Sequence, residues 1–212
     1  MKDNRESLRP YVADMAAVEK HILEAVERQR EDDGIKEFPE AAQLVGRIEG
    51  ILKNHVRELE NHAESFGGGG AATTVKEAVT GALGFVAGLY DKVRKDKVSR
   101  ALRDDYTALS LASVSYTMLH TTALGLSQGT TADIALNNLR EINQILVELS
   151  QAIPRVVLKE LSFEGYPVET GLAERAVQNT QEAWSRSSLG QTGGAGATST
   201  QGNLGTGGSF TR

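Results

Sequence analysis

An all-α fold, with four long helices set as two hairpins and a long connection between the hairpins, is what this sequence predicts. Three observations carry it. Large apolar residues recur three and four positions apart through most of the chain, the period of a helix face, and do not alternate strictly as half-buried strands require. Proline occurs only at positions 10, 39, 154 and 167, so long runs are free of it. Gly34, the four glycines Gly67 to Gly70, and Ser127-Gln128-Gly129 punctuate those runs where turns would close hairpins.

The first helix is expected from about Pro10, a favoured first-turn residue because its missing N–H would be unpaired there anyway. It carries Tyr11, Met15, Val18, Ile22 and Val26 and fades in Glu31-Asp32-Asp33-Gly34, where glycine is a natural stop. The second begins near Pro39, runs through Leu44, Ile48, Ile51, Leu52, His55, Leu59, His62 and Phe66, and ends at Gly67 to Gly70. These two form an antiparallel hairpin. Thr74-Val75-Lys76-Glu77 is a capping box that opens a shorter helix through Val79, Leu83, Val86 and Tyr90, with Gly81, Gly84 and Gly88 suited to close packing. The third long helix spans about Lys97 to Leu126. The fourth starts at a Thr130-Thr131 cap with Asp133 in its first turn, and carries Ile134, Leu139, Ile142, Leu146, Leu149 and Ile153. Pro154 should kink or end it, although Arg155 to Leu161 continue the apolar pattern. Gly165-Tyr166-Pro167 is a turn, and Glu169 to Arg186 make a terminal amphipathic helix, read as a strap across the others.

With about 30 residues between the hairpins, the connection can cross the whole length of the helices, as in ferritin-like folds with one long crossover. The 212 residues divide by composition into a folding body, 1–186, and a tail, 187–212, of Gly, Ser, Thr, Gln and Ala that cannot bury enough apolar surface to offset its ordering entropy. The tail is expected to be disordered. There is no Cys, which excludes disulfide frameworks, thiolate metal sites, iron–sulfur clusters and Cys nucleophiles. The start, Met1 to Arg9, mixes Lys2, Asp3, Arg5 and Glu6 with no apolar run behind it, and no stretch has the length of a membrane helix, so a cytoplasmic protein without membrane partners is expected. A net charge of −5 and a pI near 5.5 argue against a duplex-coating nucleic-acid binder.

One constellation has metal-ligand chemistry. Positions 51, 55, 58 and 62 share a helix face, so His55, Glu58 and His62 stack below Ile51. Glu19 sits at the edge of the first helix's apolar stripe, and folding the hairpin about Ile35 brings it beside position 52, within a turn of His55. The candidate metal ligands are therefore Glu19, His55, Glu58 and His62, two carboxylates and two imidazoles that suit iron, manganese or zinc. The same residues can equally form a metal-free hydrogen-bonded or ion-paired set, which Asp14 would join through Glu58. The second hairpin is poorer in ligands: from Tyr106 to Asp133 there is no acidic residue until Asp133 itself, His120 lies in an apolar stripe, and Gln144 stands three residues after Glu141 where a Glu-x-x-His pair would have His.

The segment His55-Val-Arg-Glu58-Leu-Glu-Asn-His62-Ala-Glu-Ser-Phe66 resembles the second-helix signature of the bacterial YciE/YciF-type ferritin-like family. The likeness extends to Glu19, in the place of that family's first-helix carboxylate, and to Leu139-Arg140-Glu141. It covers roughly residues 10 to 150 and departs in the third helix, where Leu109 to Ser115 offers no carboxylate. The resemblance implies a stress-associated, dimer-forming bundle. The apolar helix at 74–90 and the long helices also suggest a homodimer or higher oligomer. The tail's end, Asn203 to Arg212, distantly resembles the peptides by which ferritin-like cargo docks into encapsulin shells, with Leu204 and Phe210 as anchors on a flexible linker, so a protein partner for the tail is a further expectation. No phosphate-loop motif occurs, because Gly67 to Gly70 follows a helix. The basic run Lys92 to Arg103 is interleaved with acids and reads as a solvated helix end. The sequence names no reaction, and a metal-free scaffold or interaction bundle is the alternative to a metal-binding one.

Overall fold

The computed structural model describes residues 4–66 and 97–192, and every element among them is a helix. In order these are α1 (Asn4–Glu31), α2 (Asp33–Lys36), α3 (Pro39–Ser65), α4 (Val98–Gly125), α5 (Gly129–Phe163) and α6 (Leu172–Thr192). The chain divides into two compact units, Met1–Val177 and Gln178–Arg212. In the first unit α1, α3, α4 and α5 share one apolar core, to which Ile22, Leu52, Leu109, Ile142 and Leu149 contribute fully buried side chains. The capping box at Thr74–Glu77, the helix through 74–90 and the tail beyond residue 192 lie outside the described residues.

Side-chain bonds at both ends give the direction of each helix. Arg5 at the start of α1 donates to the Ser65 carbonyl at the end of α3 (2.8 Å), and Lys53 pairs with Glu27 (3.0 Å), so α1 and α3 are antiparallel. His120 donates to the Ala132 carbonyl and Ser99 N–H donates to Glu160, both at 2.8 Å, making α4 and α5 antiparallel. Asn4 reaches the Leu126 carbonyl (3.1 Å) and Gln29 reaches Asp105 (2.8 Å), so α1 also runs against α4. His62 to Thr131 (2.8 Å) and Arg155 to Glu40 (2.9 Å) set α3 against α5. The order is therefore up, down, down, up. The chain leaves α3 at one end of the helices and enters α4 at the other, and residues 67–96 connect the two ends.

Two local readings differ from expectation and two are refined. Helix α1 begins at Asn4, with Pro10 inside it. The bonds from Asn4 and Arg5 and the burial of Leu8 hold that extra turn in place. Helix α1 ends at Glu31, in the charged run where it is expected to fade, and Gly34 lies in the short α2, whose start is capped by the Asp32 carboxylate accepting from Gly34 N–H at 2.8 Å. Helix α5 runs through Pro154 to Phe163. Beyond the proline, Val156 and Glu160 are buried, and the Glu160 carboxylate accepts from Ser99 N–H (2.8 Å) and Ser99 hydroxyl (2.6 Å), satisfying orphan donors at the start of α4. That anchoring outweighs the roughly 3 kcal/mol a helix-interior proline costs. Thr130 and Thr131 do not cap α5, which starts at Gly129 without a side-chain cap; Thr131 is buried and bonds His62 instead.

The turn at Gly165 is as read, with φ +86° supplied by glycine. Helix α6 extends to Thr192, into the stretch read as tail. Among the described residues no helix is long and apolar enough to cross a membrane.

Candidate functional site

Buried polar side chains occur at several levels of the core, among them Asp105, Thr131 and Glu160, and at one level all four long helices deliver a polar side chain around His55. Glu19 on α1 is fully buried and His55 on α3 is 3% exposed. His55 Nδ1 lies 3.0 Å from Glu19 Oε1, and its Nε2 lies 3.3 Å from Glu141 Oε2 on α5. From α4, the fully buried Tyr116 packs its ring edge-on to the His55 imidazole at 6.0 Å, and its hydroxyl accepts from the buried Asn138 amide of α5 at 3.1 Å. The hairpin register puts Glu19 opposite His55 because the short connection around α2 fixes the pairing of α1 with α3. Glu19 reaches the interior because Met15, Val18 and Ile22 beside it bury the same face.

Electrostatics ties the group together. Burial pushes the Glu19 carboxyl above the usual carboxylate range, and the hydrogen bond and charge of His55 only partly offset it. For His55, burial works against the charged ring, but Glu19 and Glu141 outweigh it and hold its pKa above the ordinary imidazole value. The Glu19–His55 pair consequently keeps a shared proton as pH rises, titrating as a unit. With both carboxylates ionised, the imidazole donates in both directions as a cation between them. Burial, reinforced by Glu19, raises the Tyr116 phenol far above its normal range and keeps it neutral. Its hydroxyl lies near enough to favour the charged form of Glu19 but closes no hydrogen bond on Oε2, which stays buried without a partner.

Of the four expected ligands, Glu19 and His55 meet directly. Glu58 is exposed on α3, although its charge is felt by His62 and Tyr116. His62, half-buried, bonds the Thr131 hydroxyl and packs against Phe66 with ring centroids 4.8 Å apart. Burial, aided by the Arg5 charge, lowers its pKa. Asp14 is half-buried with Oδ1 unpartnered, and burial raises its pKa; no bond joins it to Glu58 among those described. His120 is a satisfied core histidine donating to Ala132, as read from its apolar stripe. Three members of the cluster were not among the expected ligands. Glu141 was recognisable only through its Leu-Arg-Glu context, Tyr116 looks like ordinary core, and Asn138 carries no signal at all.

Chemically, two carboxylates, an imidazole and a phenol are donor types that suit a divalent cation of borderline hardness, and Glu19 Oε2 is buried without a hydrogen-bond partner. Both ring nitrogens of His55 face carboxylates, so a cation taken up there would displace a proton from the ring. Among the described residues, no three His, Cys, Asp or Glu side chains already converge on one point as a metal cage. Comparison of the chain with protein-family models, with curated proteins and with solved structures finds no match.

Proposed function

We propose that this chain is a ferritin-like four-helix bundle protein, stress-associated by its resemblance to the YciE/YciF type, that takes up one divalent ion in its core. The observation that carries this reading is the meeting of Glu19, Tyr116 and Glu141 around the buried His55 ring, one residue from each long helix, with Glu141 reaching it from a side chain 55% exposed. The up-down-down-up order, with the crossover between opposite ends, supports the ferritin-like part, since that is the arrangement such folds use. Glu19 and Glu141 would supply oxygen and His55 nitrogen; Glu58 and His62, on the same helix as His55, are the further donors. Iron or manganese bound there would supply redox chemistry, and zinc a structural or Lewis-acid centre. With Tyr116 where α4 would otherwise bring a carboxylate, the reading is of one ion held and no assigned reaction.

Elemental analysis of protein purified without added metal, followed by calorimetric titration with Fe(II), Mn(II) and Zn(II), tests it. Binding accompanied by proton release, and lost in Glu19→Ala and His55→Ala variants that stay folded, is the expected result. Metal-free protein that ignores all three ions would sink the reading.

A second reading, a metal-free interaction or scaffold bundle, draws support from the engagement of both His55 nitrogens, because the imidazolium already neutralises the carboxylates. It assigns function to the surface and to residues 187–212. Deleting those residues without any change in partner retention or localisation would remove the tail from that account.

A further inference from the structure

The solvent face of α4 is unlike that of the other long helices. From Tyr106 to Ala132 the sequence has no Asp, Glu, Lys or Arg, in a chain with 24% charged residues. The outward stripe instead exposes Val114 (61%), Met118 (63%) and Leu124 (57%), and Tyr11 of α1 stands exposed beside the groove lined by Thr122, Gly125 and Leu126. The hydroxyls on this helix do not look outward either. Thr107, Ser110, Ser115, Thr117, Thr121 and Thr122 each donate to the carbonyl four residues back, at 2.7–3.0 Å. A side chain bonded in this way needs no water, and threonine then turns a methyl group to the surface. Between Thr107 and Gly125 the face is thus apolar in effect, beyond what the count of Val, Met and Leu suggests.

We infer that this face of α4 is a self-association surface, covered in solution by a second copy of the chain. Charge selects the occupant. A two-fold contact sets a patch against itself, so any patch with net charge opposes like to like. The chain is acidic overall, at −5, and the exposed faces of α1, α3 and α5 carry charges such as Lys20, Glu60 and Arg140; the face of α4 from Thr107 to Gly125 has no charged residue and meets its own copy without that penalty. Small residues at Ser110, Thr117, Thr121 and Gly125 let two such helices approach closely. Size fits as well. From Thr107 to Gly125 the stripe is about 27 Å long at about 1.5 Å per residue, the length of a helix-pair contact at the small end of specific interfaces. The expected association is therefore reversible, with a micromolar dissociation constant. This surface is independent of the metal reading, and either can fail alone.

The absence of cysteine makes the test clean, because Met118→Cys introduces a single thiol into the full-length chain. Light scattering of the unmodified protein is expected to give twice the 22.8 kDa chain mass at high concentration. Met118→Cys should cross-link to itself with a short bismaleimide, whereas Asn54→Cys on the exposed side of α3 should not. The double variant Val114→Glu/Met118→Glu should weaken dimerisation about a hundred-fold while its helical circular dichroism and unfolding midpoint stay unchanged. A dimer that persists in that variant, or equal cross-linking from position 54, overturns the proposal. A protein monomeric at all concentrations overturns it too. In that case, slow labelling of the Met118→Cys thiol points to cover by residues 67–96, and sedimentation with lipid vesicles points to a membrane surface.

Discussion

Truncating Glu19 is the sharpest test of the buried cluster. Its carboxylate is fully buried and its partner His55 is 3% exposed, so solvent does not screen the 3.0 Å contact between them. Removing one partner of such a pair leaves the other charged or polar group unpaired in the core, at about 3–5 kcal/mol. For a chain of this size each kcal/mol shifts the unfolding midpoint by about 2–4 °C, so Glu19→Ala should melt roughly 10 °C lower. His55→Ala should cost a similar or somewhat smaller amount, because the stranded Glu19 carboxyl can take up a proton. The double variant separates this pair from two unrelated packing defects. If the residues act on each other, its loss falls short of the sum of the single losses by at least about 1.5 kcal/mol. Urea denaturation followed by far-ultraviolet circular dichroism, with chelator present so that all variants are metal-free, gives the three values. Additivity within about 0.5 kcal/mol, or a Glu19→Ala cost below about 1 kcal/mol, would refute the claim that this pair is coupled in the core.

Stability of the metal-free protein should fall on both sides of about pH 6.5, for two different histidines. His55, with its folded pKa raised from 6.5, contributes fully below that value and loses its contribution as pH climbs through the folded pKa. His62, with its folded pKa lowered from 6.5, contributes above that value and loses its contribution as pH falls through the folded pKa. Each limb is limited to about 1.4 kcal/mol per pH unit per proton. Glu19→Gln should flatten the alkaline limb and His62→Gln the acid one; urea midpoints across pH that keep both slopes would contradict the assignment. Two glycines should respond oppositely to alanine: Gly46→Ala, inside α3 with no neighbour within 4 Å of a new Cβ, gains up to about 1 kcal/mol, and Gly165→Ala, at φ +86°, loses about 1–2 kcal/mol. Equal signs in the two denaturation curves would defeat that reasoning. Pro154→Ala should raise stability by about 1–2 kcal/mol by restoring a helix hydrogen bond, and a lower midpoint would mean that the proline ring itself packs essentially.

How far the fold could be read in advance depended on which forces were local. Helix period and turn residues located α1, α3, α4 and α5 because an amphipathic stripe is written in consecutive residues. The rules for single residues failed where tertiary contacts overrode them. Pro10 and Pro154 lie inside helices because Asn4, Arg5 and Glu160 find partners on other helices. Thr131 leaves its capping role because His62, far away in sequence, offers its hydroxyl a partner. The direction of α4 was also beyond local reading, since it depends on which end of the helices the crossover reaches.

The candidate site shows the same division, and it changes what the weak second hairpin means. Glu19 and His55 could be paired from sequence because a short connection ties their helices in register. On α4 the lack of a carboxylate reads as half a site missing. In the fold α4 brings Tyr116 to the cluster, a neutral group hydrogen-bonded to Asn138 and close to Glu19. A carboxyl there would lie beside Glu19, and burial would hold it protonated unless a cation paired with it. With tyrosine, α4 adds no charge to the Glu19–His55 pair, whose imidazole is favoured in its charged form. Tyrosine on α4 therefore keeps the buried charge to one carboxylate paired with one imidazole, while Glu141 meets the same ring from a side chain 55% exposed.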